Sequence, residues 1–300
     1  MHNKKAVFVS FNKMGYFCLE KILKSGLINI SHLFTIKKRL AGKISDYKNF
    51  SGLCKKWKIK IKYIKNINDH VEKIKKINPD IIFIIGWSQL INKEIINIPK
   101  LGCVGSHPAL LPKNRGRAVI AWHFINEDKF GGITLFYIND GCDSGDIIGQ
   151  KKFAIKKDDN ALTYYKKVIK LAIKILDEQL PKMVKGTAKR KKQDHKMATY
   201  LTKRVPEDSF LNFEKMKTKE IFNQIRAVAY VYPTAFMFYN KDKIIVYKSK
   251  IITKKLEKHP AVPGQIIKIF KNAVWAKTMD GIIELQINYK KPLKVGNHFN

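Results

Sequence analysis

The segment "PDIIFIIGW", residues 79–87, decides the fold class of this chain. Five consecutive apolar residues, Ile81–Ile85, precede Gly86, so both faces of an extended segment carry apolar side chains. A short run of this kind predicts a strand that is buried on both faces. Such strands are typical of parallel sheets with helices on both sides, which is the α/β class.

The segments around this strand alternate between two patterns. Short β-branched and aromatic runs predict strands, and the stretches between them place apolar residues at helical spacing. The predicted strands are "KAVFVSF" (5–11), "ISHLFTI" (30–36), "IKYIK" (61–65), "GCVGSH" (102–107) and "GITLFYI" (132–138), and the predicted helices are residues 15–26, 49–58 and 69–77. This alternation predicts a mostly parallel sheet, whose ligands lie beyond the carboxyl ends of its strands.

The pattern changes after residue 186. Residues 158–186 are amphipathic, with acidic residues at the start and a glycine at the end, which predicts a long helix. Residues 187–209 are polar and basic and predict a linker. One helix at 218–230 and several strand-like pieces then predict a small β-rich domain of barrel type. We therefore expect a domain at 1–186, a linker at 187–209 and a second domain at 210–300.

The formal net charge of +35 suggests a polyanionic partner such as nucleic acid. Only six of the 59 basic residues are arginine, and the rest are lysine, which A/T-rich codons favour together with isoleucine and asparagine. Codon bias and a functional polyanion field therefore remain equally good explanations of the charge.

The four cysteines lie far apart and show no CxxC spacing. This favours unpaired thiols in a reducing compartment over a disulfide framework or a zinc site, and we expect no metal. The start "MHNKKAVFVSF" lacks a long apolar run, and the longest apolar stretch is too short to span a bilayer. We expect a soluble, cytoplasmic protein.

A second segment, "GSHPALLPKNRGRAVIAW" (105–122), places one histidine beside two prolines and an Arg-Gly-Arg sequence. Its "HPALLPKNRGR", followed by "GGITLFYINDGCDSGDII" (131–148), resembles the catalytic core of the folate-dependent formyltransferases. The resemblance continues into "KRVPEDSFLNF" (203–213) and "IRAVAYVYPTAF" (225–236), where it is closest to the aminoarabinose formyltransferase branch. It covers nearly the whole chain.

The resemblance implies a Rossmann-like domain that binds N10-formyltetrahydrofolate, followed by a small barrel-like (OB-like) domain. The implied reaction moves a formyl group onto a primary amine, which requires a base for the amine proton and a donor for the oxyanion. His107 is the implied base. Asp143 matches the first acid of the family's Asp-x-Gly-Asp and would orient the imidazole and stabilise its cation. The alternative is a histidine that is merely satisfied within a structural turn.

One position departs from the family pattern. The family has Asn-x-His, and residues two apart on a strand face the same side, so that the Asn amide would hold the formyl oxygen. Here Gly105 occupies that position, and we expect open volume beside His107. The replacement donor would be a main-chain N–H, a water molecule or the amide of Asn114; loss of catalysis is the other alternative.

Other site residues are implied more weakly. The family's pterin pocket begins at Gly86, Trp87 and Leu90, although packing at a strand end explains these residues equally well. The opposite wall would be the loop containing Asp140, Gly141 and Cys142, with its main-chain groups directed at the pterin.

Three arginines are candidate ligands of a substrate phosphate. Arg115 would either shape the loop between the pocket walls or bind the phosphate. Arg204 and Arg226 would either bind phosphate near the domain junction or form ion pairs inside it. We expect the aromatic residues Tyr230, Tyr232 and Phe236 in the core rather than on a substrate platform.

Two substrates remain open. The methionyl-tRNA branch carries a long basic, glycine-rich insertion after the second strand, whereas this chain has only "KKRLAGKISDYKNF" (37–50) there. We therefore expect a nucleotide-linked amino sugar of the kind used for surface polysaccharide such as lipopolysaccharide, with methionyl-tRNA as the alternative. A non-catalytic folate or nucleotide-sugar binder is a further alternative because of Gly105. The resemblance adds a homodimer as one alternative, but these residues do not predict the oligomeric state.

Overall fold

The computed structural model describes residues 4–37, 39–40, 46–229, 232–252 and 260–300. The chain forms two compact units. The first unit comprises Met1–Val119, Phe130–Ala154 and Tyr165–Thr202, and the second comprises Ile120–Lys129, Ile155–Tyr164 and Lys203–Asn300. The prediction of two domains did not include these crossings of the chain between units. No helix within the described residues is both long and apolar enough to cross a membrane.

The first unit is built on a seven-stranded sheet, as the apolar runs predict. Its strands are β1 (Lys5–Val9), β2 (Asn29–Thr35), β3 (Lys60–Tyr63), β4 (Ile81–Ile84), β5 (Cys103–His107), β7 (Phe130–Tyr137) and β8 (Ile147–Ala154). They lie in the order β3-β2-β1-β4-β5-β7-β8. The first five are parallel, and β7 and β8 are antiparallel to their neighbours. All four residues of β4 are buried, which confirms the prediction made from "PDIIFIIGW".

The helices of the first unit are α1 (Lys13–Ser25), α2 (Ser51–Lys56), α3 (Val71–Ile77), α4 (Lys93–Ile96) and, from Tyr165 onward, α6 (Ala161–Lys185). The helix α5 (Val119–Ile125) belongs to the second unit from Ile120 onward. Asn12 caps α1 by accepting a bond from the Gly15 N–H at 2.9 Å, and Gly26 ends the helix in a left-handed conformation. The helices α4 and α5 and the strand β8 were not predicted, because the helices have only four and seven residues and β8 contains the sequence Gly-Gln-Lys-Lys at its centre.

The second unit contains α7 (Thr218–Ala227) and a five-stranded antiparallel sheet. The strands are β10 (Ala235–Tyr239), β11 (Asp242–Ile252), β12 (Ile266–Ile269), β13 (Ala273–Lys277) and β14 (Ile282–Ile287), in the order β10-β11-β14-β13-β12. Phe236 is buried in it, Tyr232 is half-buried, and Tyr230 lies outside the described residues.

The C-terminal segment bridges the two edges of this sheet. Phe238 of β10 exchanges two main-chain hydrogen bonds with Asn300, and the Ile266 N–H of β12 donates to the Asn297 carbonyl at 2.8 Å. Because residues 297–300 pair with both edge strands, the sheet is closed in the manner of a small barrel.

The predicted linker is partly built into the first unit. Lys191 forms a bridge to Ile147, and β9 (Tyr200–Leu201) pairs in parallel with β6 (Arg115–Gly116). We call residues 191–201 the strap. Gly116 has φ +102°, and a Cβ on it would lie 2.4 Å from the Leu201 carbonyl oxygen, so only glycine permits this approach of the strap.

Candidate active site

Strand β5 brings the predicted base to the carboxyl-end edge of the parallel sheet. Gly105 is paired with Ile84 of β4 and with Phe136 of β7, and His107 is paired with Thr134. The His107 side chain is buried, with 4% of its surface exposed. The sequence therefore places this imidazole where ligands gather in α/β sheets.

His107 lies between two oxygen atoms. Its Nδ1 is 3.4 Å from the Asp143 carboxylate, and its Nε2 is 2.6 Å from the main-chain carbonyl of Asn114. The carbonyl can only accept, so the short contact is a hydrogen bond if Nε2 carries the proton. This arrangement leaves the lone pair on Nδ1, the nitrogen that faces Asp143. Orientation of the ring therefore comes from Asn114, and the carboxylate is placed to stabilise a cation.

Asp143 is held from the opposite side. Its Oδ2 accepts the Gly116 N–H at 2.9 Å, and its backbone is left-handed with φ 48°. The same loop is tightened by Asn139, whose Oδ1 accepts from the Gly141 N–H and from the Ser144 hydroxyl. Two loops, 107–116 and 139–145, thus converge on the His107–Asp143 pair.

The volume beside Gly105 is filled, so the expectation of open space there is wrong. A Cβ added to Gly105 would lie 2.9 Å from Ile138 Cγ1 and 3.1 Å from Phe136 Cζ. Ile138 also packs against a cluster of buried apolar residues that includes Val9 and Ile84. Apolar side chains therefore occupy the space into which an asparagine at residue 105 would extend.

Asn114 meets His107 through its main chain. Its side-chain Oδ1 lies 3.3 Å from the Thr199 hydroxyl, and its N–H donates to the same hydroxyl oxygen at 2.8 Å. Its φ of 60° is left-handed, a conformation that asparagine tolerates better than most residues. The role of its side-chain amide as a replacement oxyanion donor stays a prediction.

Arg115 is turned away from solvent, in disagreement with the phosphate-binding alternative. Only 1% of its surface is exposed. Its guanidinium donates to Gln193 Oε1 at 2.7 Å and to the Tyr200 hydroxyl at 2.9 Å, and lies 3.2 Å from His195 Nδ1. The side chain therefore joins the loop to the strap, as the loop-shaping alternative requires.

The residues proposed for the first pterin wall follow β4. Gly86 is left-handed and closely approached by the Asn12 side chain, and Trp87 packs against Phe11 with 5.4 Å between ring centroids. The indole N–H of Trp87 has no acceptor among the described residues. Leu90 is 76% exposed, so it does not pack at the strand end.

The other proposed wall lies in the loop that carries Asp143. Asp140 is exposed and lies 3.6 Å from the Lys93 ammonium, and Gly141 forms the turn with Asn139. The Cys142 thiol is 3.6 Å from the Asp143 carboxylate. Partial burial, and then the negative charge of Asp143, raise the pKa of this thiol.

Arg204 and Arg226 belong to the second unit and already have partners there. Arg226 donates to the carbonyls of Asp159 and Lys156 at 2.7 and 3.0 Å. Arg204 donates to the Asp208 carbonyl at 2.5 Å and lies 5.3 Å from the Trp122 ring centroid. These contacts explain both side chains without a phosphate, so their role in substrate binding stays a prediction.

Sequence reasoning missed the strap. Gln193, Thr199 and Tyr200 contact the loops of the site, although they are more than 75 residues away from Arg115 and Asn114 in the chain. The only signal was the position of a polar glutamine and a threonine–tyrosine pair in a basic segment, which a single sequence does not distinguish from a solvated linker.

Comparison with known proteins agrees with the resemblance. Residues 19–180 match the formyl transferase family, and residues 203–300 match the formyl transferase C-terminal domain. A methionyl-tRNA formyltransferase of Clostridioides difficile (strain 630) is 33% identical over 234 residues, which are 77% of this chain and 74% of that protein. The bifunctional polymyxin resistance protein ArnA of Wigglesworthia glossinidia brevipalpis is 32% identical over 252 residues, 82% of this chain and 38% of that protein.

Solved structures share the fold. WlaRD, a sugar 3N-formyl transferase crystallised with dTDP and 5-N-formyl-THF, superposes with a TM-score of 0.70 at 22% identity, covering 97% of this chain and 100% of its own. The N-formyltransferase from Helicobacter canadensis, in complex with folinic acid and dTDP-3-aminofucose, gives 0.68 at 21% identity, with 95% and 100% covered. The family matches over both units and the relatives above 30% identity show that this chain belongs to the formyl transferase family and is a folate-dependent formyltransferase.

Proposed function

We propose that this enzyme transfers the formyl group of N10-formyltetrahydrofolate to the primary amine of a nucleotide-linked amino sugar. The observation that carries the choice of acceptor is the short connection between β2 and α2, residues 36–50. A tRNA acceptor stem needs an extended basic surface at this place in the family, and this connection is too short to supply it. The sugar formyltransferases with the same fold support the proposal.

The reaction requires that the attacking amine lose a proton as the bond to the formyl carbon forms, and that the bond from this carbon to N10 of the folate then break. Tetrahydrofolate leaves as N10 takes up a proton, which balances the proton lost by the amine. The Nδ1 lone pair of His107 accepts the amine proton, because Nε2–H is already committed to the Asn114 carbonyl. The resulting imidazolium is then stabilised by Asp143, 3.4 Å away. The low exposure of His107 keeps bulk water from competing for the proton.

The folate donor supplies an activated formyl carbon, and the residues around β4 fit a pterin ring in one respect. Trp87 provides a buried N–H that has no acceptor among the described residues, and a pterin ring offers acceptors. Trp87→Phe keeps an aromatic ring against Phe11 and removes this donor. We expect weaker folate binding, measured by titration of the wild type and the variant, with Trp57→Phe, an exposed tryptophan, as the control.

Methionyl-tRNA is the second candidate acceptor. This acceptor is favoured by the net charge of +35 and by the 33% identity to the methionyl-tRNA formyltransferase of Clostridioides difficile. Release of tetrahydrofolate is measured with dTDP- and UDP-linked amino sugars and, separately, with methionyl-tRNA. Turnover of a sugar alone supports the proposal, and turnover of the tRNA alone rejects it. A non-catalytic binder would turn over neither while still binding folate.

A further inference from the structure

The strap contacts both loops that converge on His107. Through Thr199 and β9 it pairs with residues 114–116, and through Gln193 it reaches the loop that carries Asp143. His107 ends strand β5 and contacts the Asn114 carbonyl in the loop that follows, whereas Asp143 comes from the loop 139–145. Their separation therefore depends on how these two loops are held together. The strap contacts both loops, in addition to the direct bond from the Gly116 N–H to Asp143.

Gln193 is the centre of this connection. Its Nε2 donates to the main-chain carbonyls of Asp143 and Gly145 at 2.8 and 2.7 Å. Its Oε1 accepts a 2.7 Å bond from the guanidinium of Arg115. Gln193 is 94% buried, so water cannot readily replace these hydrogen bonds, and losing them costs free energy. The amide therefore uses both donor hydrogens and its acceptor to tie one loop to the other.

The residues on either side of Arg115 contact His107 and Asp143. Arg115 is adjacent to Asn114, whose carbonyl fixes the imidazole of His107, and to Gly116, whose N–H donates to the Asp143 carboxylate. Displacing either loop therefore changes the distance between His107 and Asp143. A shift of about 1 Å at reacting groups costs up to about 10²-fold in rate.

We propose that Gln193 is a positioning residue that sets the separation of His107 and Asp143 by clamping their two loops; this inference rests on the proposed function for its kinetic consequence. Gln193 does not touch His107 or the Asp143 carboxylate, so its effect on rate passes through the loops. An ordinary structural glutamine would lower stability and leave the turnover of the folded enzyme unchanged.

The first test is a double-mutant cycle. Gln193→Met keeps the length of the side chain and removes its hydrogen bonds, and we expect kcat to fall about 10- to 100-fold with the KM for the amine changed less than about threefold. In an Asp143→Asn background the same substitution should cost less than about threefold, because the group it positions is already gone. Multiplicative losses in the double variant would overturn the proposal.

Gln265→Met is the matched control. Gln265 also bridges a main-chain N–H and a carbonyl, those of Val262 and Gly296, but it lies in the second unit. We expect its kcat to stay within about twofold of wild type. If Gln193→Met does not fold, Gln193→Glu replaces it, since a carboxylate can still accept from Arg115 but cannot donate to the two carbonyls.

The second readout does not require turnover. Amide hydrogen exchange of Gly116, whose N–H is bonded to Asp143, should accelerate at least about tenfold in Gln193→Met, after global unfolding is accounted for, and not in Gln265→Met. Unchanged exchange would reject the clamp. If no amine is turned over by the wild type, the proposed function fails, but the exchange result still decides the role of Gln193.

Discussion

Among the residues that the structure describes, two buried histidines each lie beside an aspartate, and the closer pair is not at the candidate active site. His123 and Asp128 are 2.7 Å apart, whereas His107 and Asp143 are 3.4 Å apart. His123 lies on α5 and stacks on Tyr164, with 5.1 Å between ring centroids. Both histidines are less than 5% exposed, so burial does not distinguish them, and the shorter distance belongs to the pair outside the candidate active site.

The origin of the aspartate distinguishes the two pairs. Asp128 is five residues beyond His123, and its N–H also donates to the His123 carbonyl, so this pair closes the end of α5 locally. Asp143, in contrast, lies in a loop far from His107 in the chain, and the strap contacts both this loop and the loop that follows His107. A pair assembled from distant segments requires the whole first unit to fold, which is how active sites combine residue types that one helix cannot present.

The two pairs should differ most when each imidazole is removed. His107→Asn should lower kcat by about 10²–10⁴-fold, the contribution of a positioned general base, with folate binding retained. His123→Asn should leave kcat within about threefold and reduce the free energy of unfolding by about 1–3 kcal/mol, the cost of a lost buried hydrogen bond. Steady-state kinetics and urea unfolding measure both. Activity within threefold in His107→Asn would remove that residue from the mechanism.

The aspartates give a smaller contrast. Asparagine tolerates the left-handed backbone of residue 143 and can still accept from the Gly116 N–H, so Asp143→Asn removes chiefly the negative charge. We expect kcat to fall by about 10²-fold, because the imidazolium loses its counter-ion. Asp128→Asn should leave kcat unchanged. Equal losses in the two variants would mean that the assignment of catalytic and structural pairs is wrong.

The sequence predicted the fold class, and it named His107 and Asp143 as a candidate catalytic pair, which the structure places 3.4 Å apart. It did not predict the surroundings of these two residues, and their catalytic role stays a prediction. The strands are visible in the sequence because they are continuous apolar runs, as in residues 81–85. His107 and Asp143 were identified because short motifs specify them. The filled space at Gly105 could not be predicted, since Ile138 reaches it from beyond a neighbouring strand. Neither could the contacts of Gln193, which depend on tertiary pairing of a polar segment.

Substitution of Gly105 tests whether a side-chain amide next to His107 and Asp143 would increase kcat. Gly105→Asn must displace Ile138 and Phe136, so we expect a loss of about 1–3 kcal/mol of stability and a lower kcat rather than a higher one. Ile138→Ala makes room, and the double variant Gly105→Asn/Ile138→Ala should be more stable than Gly105→Asn. If the double variant exceeds the wild type in kcat, the missing amide does limit the rate.

Asn114 separates main-chain from side-chain effects on His107. Asn114→Gly keeps the left-handed backbone and the carbonyl that fixes Nε2, while it removes the amide. If the carbonyl is the important group, kcat should fall less than about threefold, whereas Asn114→Ala should also lose about 1 kcal/mol of stability through backbone strain. A large loss of kcat in both variants, measured with the folded fraction known, would instead identify the amide as the oxyanion donor.

The rate at which the Cys142 thiol is alkylated should report the charge of Asp143, with a smaller effect than the substitutions above. Cys142 is exposed, whereas burial raises the pKa of Cys18 and Cys103 to about 12 and that of Cys54 to about 11, so iodoacetamide should label Cys142 first. The Asp143 charge contributes to the raised pKa of Cys142. Asp143→Asn should therefore lower that pKa, increase the thiolate fraction near neutral pH and accelerate labelling a few-fold.

Asp128→Asn should not change the rate, because its carboxylate is paired with His123 at the end of α5. Mass spectrometry of the labelled site against time measures the rates, and equal acceleration by both substitutions would show that the thiol reports net charge rather than the contact with Asp143.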